Sequence, residues 1–170
     1  MDRGGILLVN LAKGQIGEDT SSLLGGLLVT TIGLAAFSRA DTPEHARRDF
    51  ALYIDEFQNF TTLALANLAS ELRKYRVAAV LAHQYLHQLE PAIRHAVLGN
   101  AGTIVAFRVG GQDAPLLVRE LQPSFGVEDL LSLPNHHIAL RLMIDWTPSR
   151  PFSARTLTPR KAAALAALRA

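Results

Sequence analysis

The sequence predicts an α/β protein in which a mainly parallel sheet lies between two helical layers, a three-layer α/β/α arrangement. Three observations carry that expectation. Short apolar runs at 6–11, 50–54, 77–82 and 102–109 alternate with segments of helical pattern. The runs are nearly continuous, as strands covered on both faces require. The composition agrees: of 170 residues, 49% are hydrophobic and 19% charged, enough apolar chain for a sizeable core.

Composition also narrows the function. Lysine and arginine number 17 against 15 acidic residues, so a net charge of +2 leaves no basic footprint for nucleic acid outside a local patch or an oligomeric ring. With no cysteine there are no disulfides and no thiolate metal sites. The opening Met1-Asp2-Arg3-Gly4-Gly5 lacks the order of a signal peptide, so a cytoplasmic location is expected.

Taken in order, 6–11 is the first strand. The glycines of Lys13-Gly14-Gln15-Ile16-Gly17 make a turn, and Glu18-Asp19-Thr20-Ser21 starts a helix. The stretch from Thr20 to Ser38 carries no charge and approaches the length of a membrane span. Its serines, threonines and paired glycines make it less apolar than a span, and it is expected as a helix buried in a core or an oligomer interface, with no direct membrane span. A polar connection, 41–49, leads into strand 50–54. Thr61 or Thr62 caps a helix over 63–75, and 77–82 is the next strand, closing in His83-Gln84-Tyr85. A helix over 86–98, restarted by Pro91, precedes strand 102–109; helices follow at 112–121 and 127–131. The partly alternating 137–144 is read as an outer strand and 148–152 as an extended link. Thr158-Pro159 opens an alanine-rich helix to the end, dividing a core of 1–155 from a helical tail of 156–170.

The chain is organised around Phe50-Ala51-Leu52-Tyr53-Ile54-Asp55-Glu56. An apolar strand that runs into two carboxylates places them at its carboxyl end, where open α/β sheets bind ligands. This is the Walker B pattern of nucleoside-triphosphate hydrolases, in which the Asp holds the magnesium shell and the Glu orients or deprotonates a water. The same pair also suits the start of a helix, and that plainer reading stays open.

Segments 6–17, 50–60, 71–75 (Glu71-Leu72-Arg73-Lys74-Tyr75), 81–84 (Leu81-Ala82-His83-Gln84) and 98–103 resemble, in order and spacing, RecA-like motors. The resemblance is to the VirD4/TraG/TraD conjugative coupling proteins, with VirB4 and the HerA/FtsK translocases as relatives. Phe107-Arg108-Val109, Gln112-Asp113-Ala114 and Pro151-Phe152-Ser153 resemble the coupling-protein branch. The likeness runs over roughly residues 5–155. It implies a hexameric ATPase that moves DNA or protein, with ATP and Mg2+ as cofactors and other secretion-system proteins as partners at the inner-membrane face.

The resemblance gives Asp55 the magnesium-associated acid, acting through water, and Glu56 the catalytic base. Gln84 becomes the residue that senses the γ-phosphate, so Asp55 and Gln84 bind the cofactor. Arg73 takes the place of an arginine inserted into a neighbour's site, where a planar fork stabilises charge on a phosphoryl group. Asn100 and Arg108 are supporting candidates. Each has a plainer reading: Gln84 as a strand-end cap, and Arg73-Lys74 as a cationic turn opposing a helix dipole. His83, His87 and His95 lack a third ligand at clear metal spacing, and His136-His137 read as strand-edge residues. Ser21, Ser22 and Ser38 lack a nucleophile elbow.

One departure governs the functional expectation. No Gly-x-x-x-x-Gly-Lys-Ser/Thr occurs in the 170 residues. The backbone amides of that loop carry most of the phosphate grip. The expectation is therefore an incomplete RecA-like core without its P-loop strand, belonging to a type IV secretion or conjugation coupling ATPase. It would hydrolyse ATP only with a partner bearing a Walker A loop; the partners expected are further copies in a hexameric ring or a separate P-loop-bearing chain. The alternative is a non-catalytic module that docks to a motor, and a third reading is a different enzyme whose acidic pair binds metal directly. In this fold class the missing strand lies between 77–82 and 102–109, so either those strands close up or another chain fills the gap.

Overall fold

Strands β1 (Phe50–Ile54) and β2 (Val77–Leu81) pair in parallel, from Phe50↔Val77 to Ile54↔Leu81. The computed structural model that shows this describes residues 1–60 and 71–157, and it divides into two compact units, Met1–Ala101 and Gly102–Ala170. The parallel ladder runs on past β2: Ala82 N–H donates to the Ile54 carbonyl (2.9 Å), and Phe57 N–H donates to the Ala82 carbonyl (3.0 Å).

In the first unit a single turn, α1 (Lys13–Ile16), leads through Gly17 into α2 (Glu18–Phe37). Gly17 has φ of 82°, a left-handed conformation that glycine adopts without a β-carbon clash. The buried face of α2 is Ser21, Gly25, Val29, Gly33 and Ala36, small residues at helical spacing. Gly25 is needed there, because a β-carbon would stand 2.1 Å from the Phe60 ring. Leu23, Leu27 and Leu34 stay exposed. Within this chain, among the described residues, the small-residue face is the one covered, so its own unit does not enclose the helix. Glu18–Asp41 is long and apolar enough to cross a bilayer by length and composition.

The core of this unit gathers Ala36, Leu72 and Val77, with Phe37, Phe50, Leu52 and Tyr75 packed against them. The Phe37 and Tyr75 rings meet edge-on at 5.4 Å. Buried Arg39 donates to Asp2 Oδ1 and to the Tyr75 carbonyl, both at 2.7 Å, tying the first residues to the entry of β2. A short turn, Leu86–Gln88, precedes α3 (Pro91–Asn100), whose proline sits in the first turn, where no N–H is needed.

Segment 6–11 is not the strand its composition predicts. It belongs to no sheet among the described residues, and Ile6 and Leu8 are 90% and 86% exposed. A strand exists only through a partner's ladder, and this run is fastened at its ends alone: the Ser21 hydroxyl donates to the Leu11 carbonyl at 2.7 Å, and Asp2 is held by Arg39.

The second unit is built on antiparallel pairing. Strands β3 (Ile104–Ala106), β4 (His137–Arg141), β5 (Met143–Ile144), β6 (Thr147–Pro148) and β7 (Phe152–Arg155) form a sheet of order β3-β4-β7 and a separate β5-β6 hairpin. Helices α4 (Ala114–Leu121) and α5 (Val127–Leu131) supply Leu117, Leu121 and Leu130 to a core that includes Ile104, Ala139 and Leu140.

The protein is therefore α/β, as expected, but its parallel pairing is confined to β1–β2 among the described residues. The 102–109 run contributes only β3, which pairs antiparallel with β4; β4 is a central strand, and the expected link 148–152 holds at 149–151, with its ends Pro148 and Phe152 taken into β6 and β7. Among the described residues 77–82 does not close up onto 102–109: β2 is bonded to β1 alone and β3 to β4 alone. Of the helix expected over 63–75, residues 61–70 lie outside the described residues and Leu72–Tyr75 is a 3-10 turn. The helix expected from Thr158 also lies outside them.

Candidate functional site

Asp55 and Glu56 follow β1 directly, at the carboxyl end of the parallel pair, where the sequence places them. The chain turns sharply there. Glu56 sits at φ of 50°, in the left-handed region, which costs a residue with a β-carbon about 1–2 kcal/mol. Two bonds hold the turn: Glu56 N–H donates to Asp55 Oδ1 (3.0 Å), and Asn59 N–H donates to the Glu56 carbonyl (3.0 Å). Phe57, fully buried, anchors it from below and meets the His83 ring edge-on at 5.0 Å.

Both oxygens of the Glu56 carboxylate are clamped by amides. Gln58 Nε2 donates to Oε2 and Gln84 Nε2 to Oε1, each at 2.5 Å. Gln84 reaches Glu56 because the ladder through Ala82 brings the end of β2 level with the end of β1. The amide bonds, from Gln58 first and Gln84 second, hold the Glu56 carboxyl below the ordinary glutamate range; the charges of Lys13 and His83 add smaller pulls in the same direction, and desolvation opposes them. Glu56 is thus ionised at neutral pH.

These residues line a cavity of about 1390 Å³ walled by segment 6–11 on one side and β1 on the other. Lys13, Glu18, Asp55, Glu56, Gln58 and Gln84 stand on its walls. Lys13 Nζ is ion-paired with Glu18 Oε1 at 2.7 Å.

Of the residues singled out from the sequence, Asp55, Glu56 and Gln84 come together. Arg73 does not join them. It is exposed in the Leu72–Tyr75 turn that precedes β2, at the opposite end of the pair. Asn100 donates to the Ala96 carbonyl of its own helix at 2.7 Å. Arg108 belongs to the second unit and reaches Asn135 Oδ1 at 3.5 Å. His83 packs on Phe57, and His87 lies beside Tyr85 at 5.6 Å. Among the described residues no three His, Asp or Glu side chains gather as a metal-binding group.

Two participants escaped the sequence reading. Gln58 is legible only once the turn is known, since the left-handed Glu56 brings a residue two positions on back over its carboxylate. Lys13 carried a signal, a lone lysine between an apolar run and a helix start, but the sequence does not show that it lines the same cavity as Glu56.

No protein-family model matches the chain, and no curated protein matches it. Among solved structures it is similar to the genome-packaging NTPase B204 of Sulfolobus turreted icosahedral virus 2, solved in complex with AMPPCP. The TM-score is 0.49 at 16% identity over 75% of this chain. The chain spans 60% of the length of that structure.

Proposed function

We propose that the acidic end of β1 is half of a nucleoside-triphosphate site, in a RecA-like module of a DNA-translocating motor of the type IV coupling kind. The observation that carries this reading is the double amide clamp on Glu56 beside Asp55, at the carboxyl end of a parallel pair.

The residues present fit the acidic half of such a site. Asp55 offers a hard, exposed carboxylate to a hydrated magnesium ion, which takes one or two protein carboxylates and keeps its waters. When bound, magnesium would neutralise charge on a polyphosphate. Glu56, kept ionised by its amides, is a weak base and a good hydrogen-bond acceptor, so it orients a water more readily than it removes a proton. Gln84 has a second N–H to offer a phosphate while the first stays on Glu56, which links the ligand to the carboxylate. The phosphate cradle does not fit, because these 170 residues contain no Walker A loop. A separate Walker A-bearing chain would supply it, because further copies of these 170 residues bring no such loop.

The position of Arg73 suits a finger acting in trans. Five strand residues, about 17 Å, separate the two ends of β2, so Arg73 cannot serve Asp55 of its own chain. The second reading, a docking module without catalysis, is favoured by the missing loop alone. On the first reading the module works at the cytoplasmic membrane face through partners, and the net charge of +2 assigns DNA contact to the assembled ring.

The test is ATP hydrolysis by the chain mixed with a Walker A-bearing partner from the same gene neighbourhood. Activity that appears only in the mixture, and is lost with Glu56→Gln, supports the reading. A mixture that associates but hydrolyses nothing leaves the docking module as the better account.

A further inference from the structure

Lys13 is the residue of the acidic end to which the reading above gives no task. Its backbone is fixed. The buried Ser21 hydroxyl holds the Leu11 carbonyl at 2.7 Å, Asn10 Oδ1 accepts from Ala12 N–H at 3.1 Å, and Gly17 N–H donates to the Lys13 carbonyl at 2.9 Å. The side chain is held more loosely. Its ammonium rests on Glu18, and the two side chains are 40% and 73% exposed. An ion pair in that much water exchanges readily for another anion.

The cavity has two basic residues on its walls, Arg48 and Lys13. Arg48 stands beyond the opposite end of β1 from Asp55, seven residues or about 23 Å away along the extended chain. Lys13 lines the same cavity as Asp55, Glu56 and Gln84, near enough for its charge to lower the Glu56 pKa slightly. A polyphosphate arriving at Asp55 meets the carboxylates of Asp55, Glu56 and Glu18, and needs a cation in the same cavity. A compact ammonium on a flexible stem, swung from a fixed backbone, can provide it.

We propose that Lys13 is a phosphate ligand of the acidic end, held on Glu18 until a magnesium-bound polyphosphate displaces that carboxylate. The proposal rests on the nucleotide-site reading and adds a residue to it. No covalent step is involved; one ion pair is exchanged for another.

The chain contains three lysines, Lys13, Lys74 and Lys161, so a lysine-Cε carbon-13 spectrum of the whole protein is simple to assign with Lys13→Arg. The experiment titrates that protein with magnesium tripolyphosphate to millimolar concentration and follows the Lys13 Cε signal together with the Asp55 and Glu56 amides. All three should shift along one saturation curve. Lys13→Gln should weaken the apparent affinity about tenfold, and Glu18→Gln, which frees the ammonium, should tighten it. If the Asp55 and Glu56 amides shift while Lys13 Cε stays still, Lys13 is not a ligand but the acidic end remains a phosphate site. If Lys13 alone shifts, it binds anions away from Asp55, and the assignment fails. If nothing shifts, this proposal and the nucleotide site in the isolated chain fall together.

Discussion

The two units of the protein solve the same problem differently. In the second, β4 is paired along both edges, and Ile104 and Ala106 of β3 and Ala139 and Leu140 of β4 are all buried. In the first, β1 and β2 have only each other among the described residues; Ala78, Ala79 and Val80 of β2 are exposed, as are Ala51 and Tyr53 of β1. Antiparallel strands can close a sheet with short hairpins, whereas a parallel pair depends on crossovers and on layers over both faces. The candidate site lies in the more open unit. Binding regions are commonly drawn from the less stable part of a fold, because a surface that must meet a partner cannot first be closed by its own chain.

The comparison breaks first if core truncations cost the same in both units. Leu121→Ala, at a fully buried position of α4, should destabilise the second unit by about 2–5 kcal/mol, whereas Leu8→Ala in segment 6–11 should cost less than about 0.5 kcal/mol. Urea unfolding with hydrogen exchange resolved by unit measures both. Phe57→Ala should remove about 3–5 kcal/mol from the first unit and, with its anchor gone, release the Asp55-Glu56 turn; loss of exchange protection at Ala82 N–H would report it.

Two smaller tests sharpen the contrast. Gly25→Ala should cost about 1–3 kcal/mol by driving a methyl group into Phe60, while Gly26→Ala, with open space around it, should be neutral or stabilising by thermal melting. The smallest effect concerns pH. Because Glu56 titrates below the ordinary glutamate value of 4.5, its amide bonds contribute stability above that value, and this is lost as pH falls through the folded-state titration. Gln84→Ala should move the Glu56 titration upward, as followed by carboxyl carbon-13 shifts. An unmoved titration would mean that the Gln84 bond does not form in solution.

The sequence was most informative where local chemistry decides the outcome. The runs at 50–54 and 77–82 became β1 and β2, the Pro91 restart became α3, and Asp55, Glu56 and Gln84 meet because residues just beyond two parallel strands must end on one side. It was least informative where pairing decides. Segment 6–11 is as apolar as β1 but has no ladder among the described residues, while Phe152–Arg155, only four residues long, became β7 because β4 offered it an edge. Gln58 and Lys13 depend on a turn and on a cavity, and neither is a property of spacing.

Segment 6–11 has one further consequence. It is an extended, water-exposed stretch with firm moorings on both sides, Arg39 at one end and Ser21 at the other. A protease should therefore find it before it finds the core, and a cut there would sever the peptide without parting the pieces. The nicked protein would run slightly ahead of the intact chain on a denaturing gel, while the short N-terminal peptide would still elute with it from a sizing column, as mass spectrometry of the peak would show.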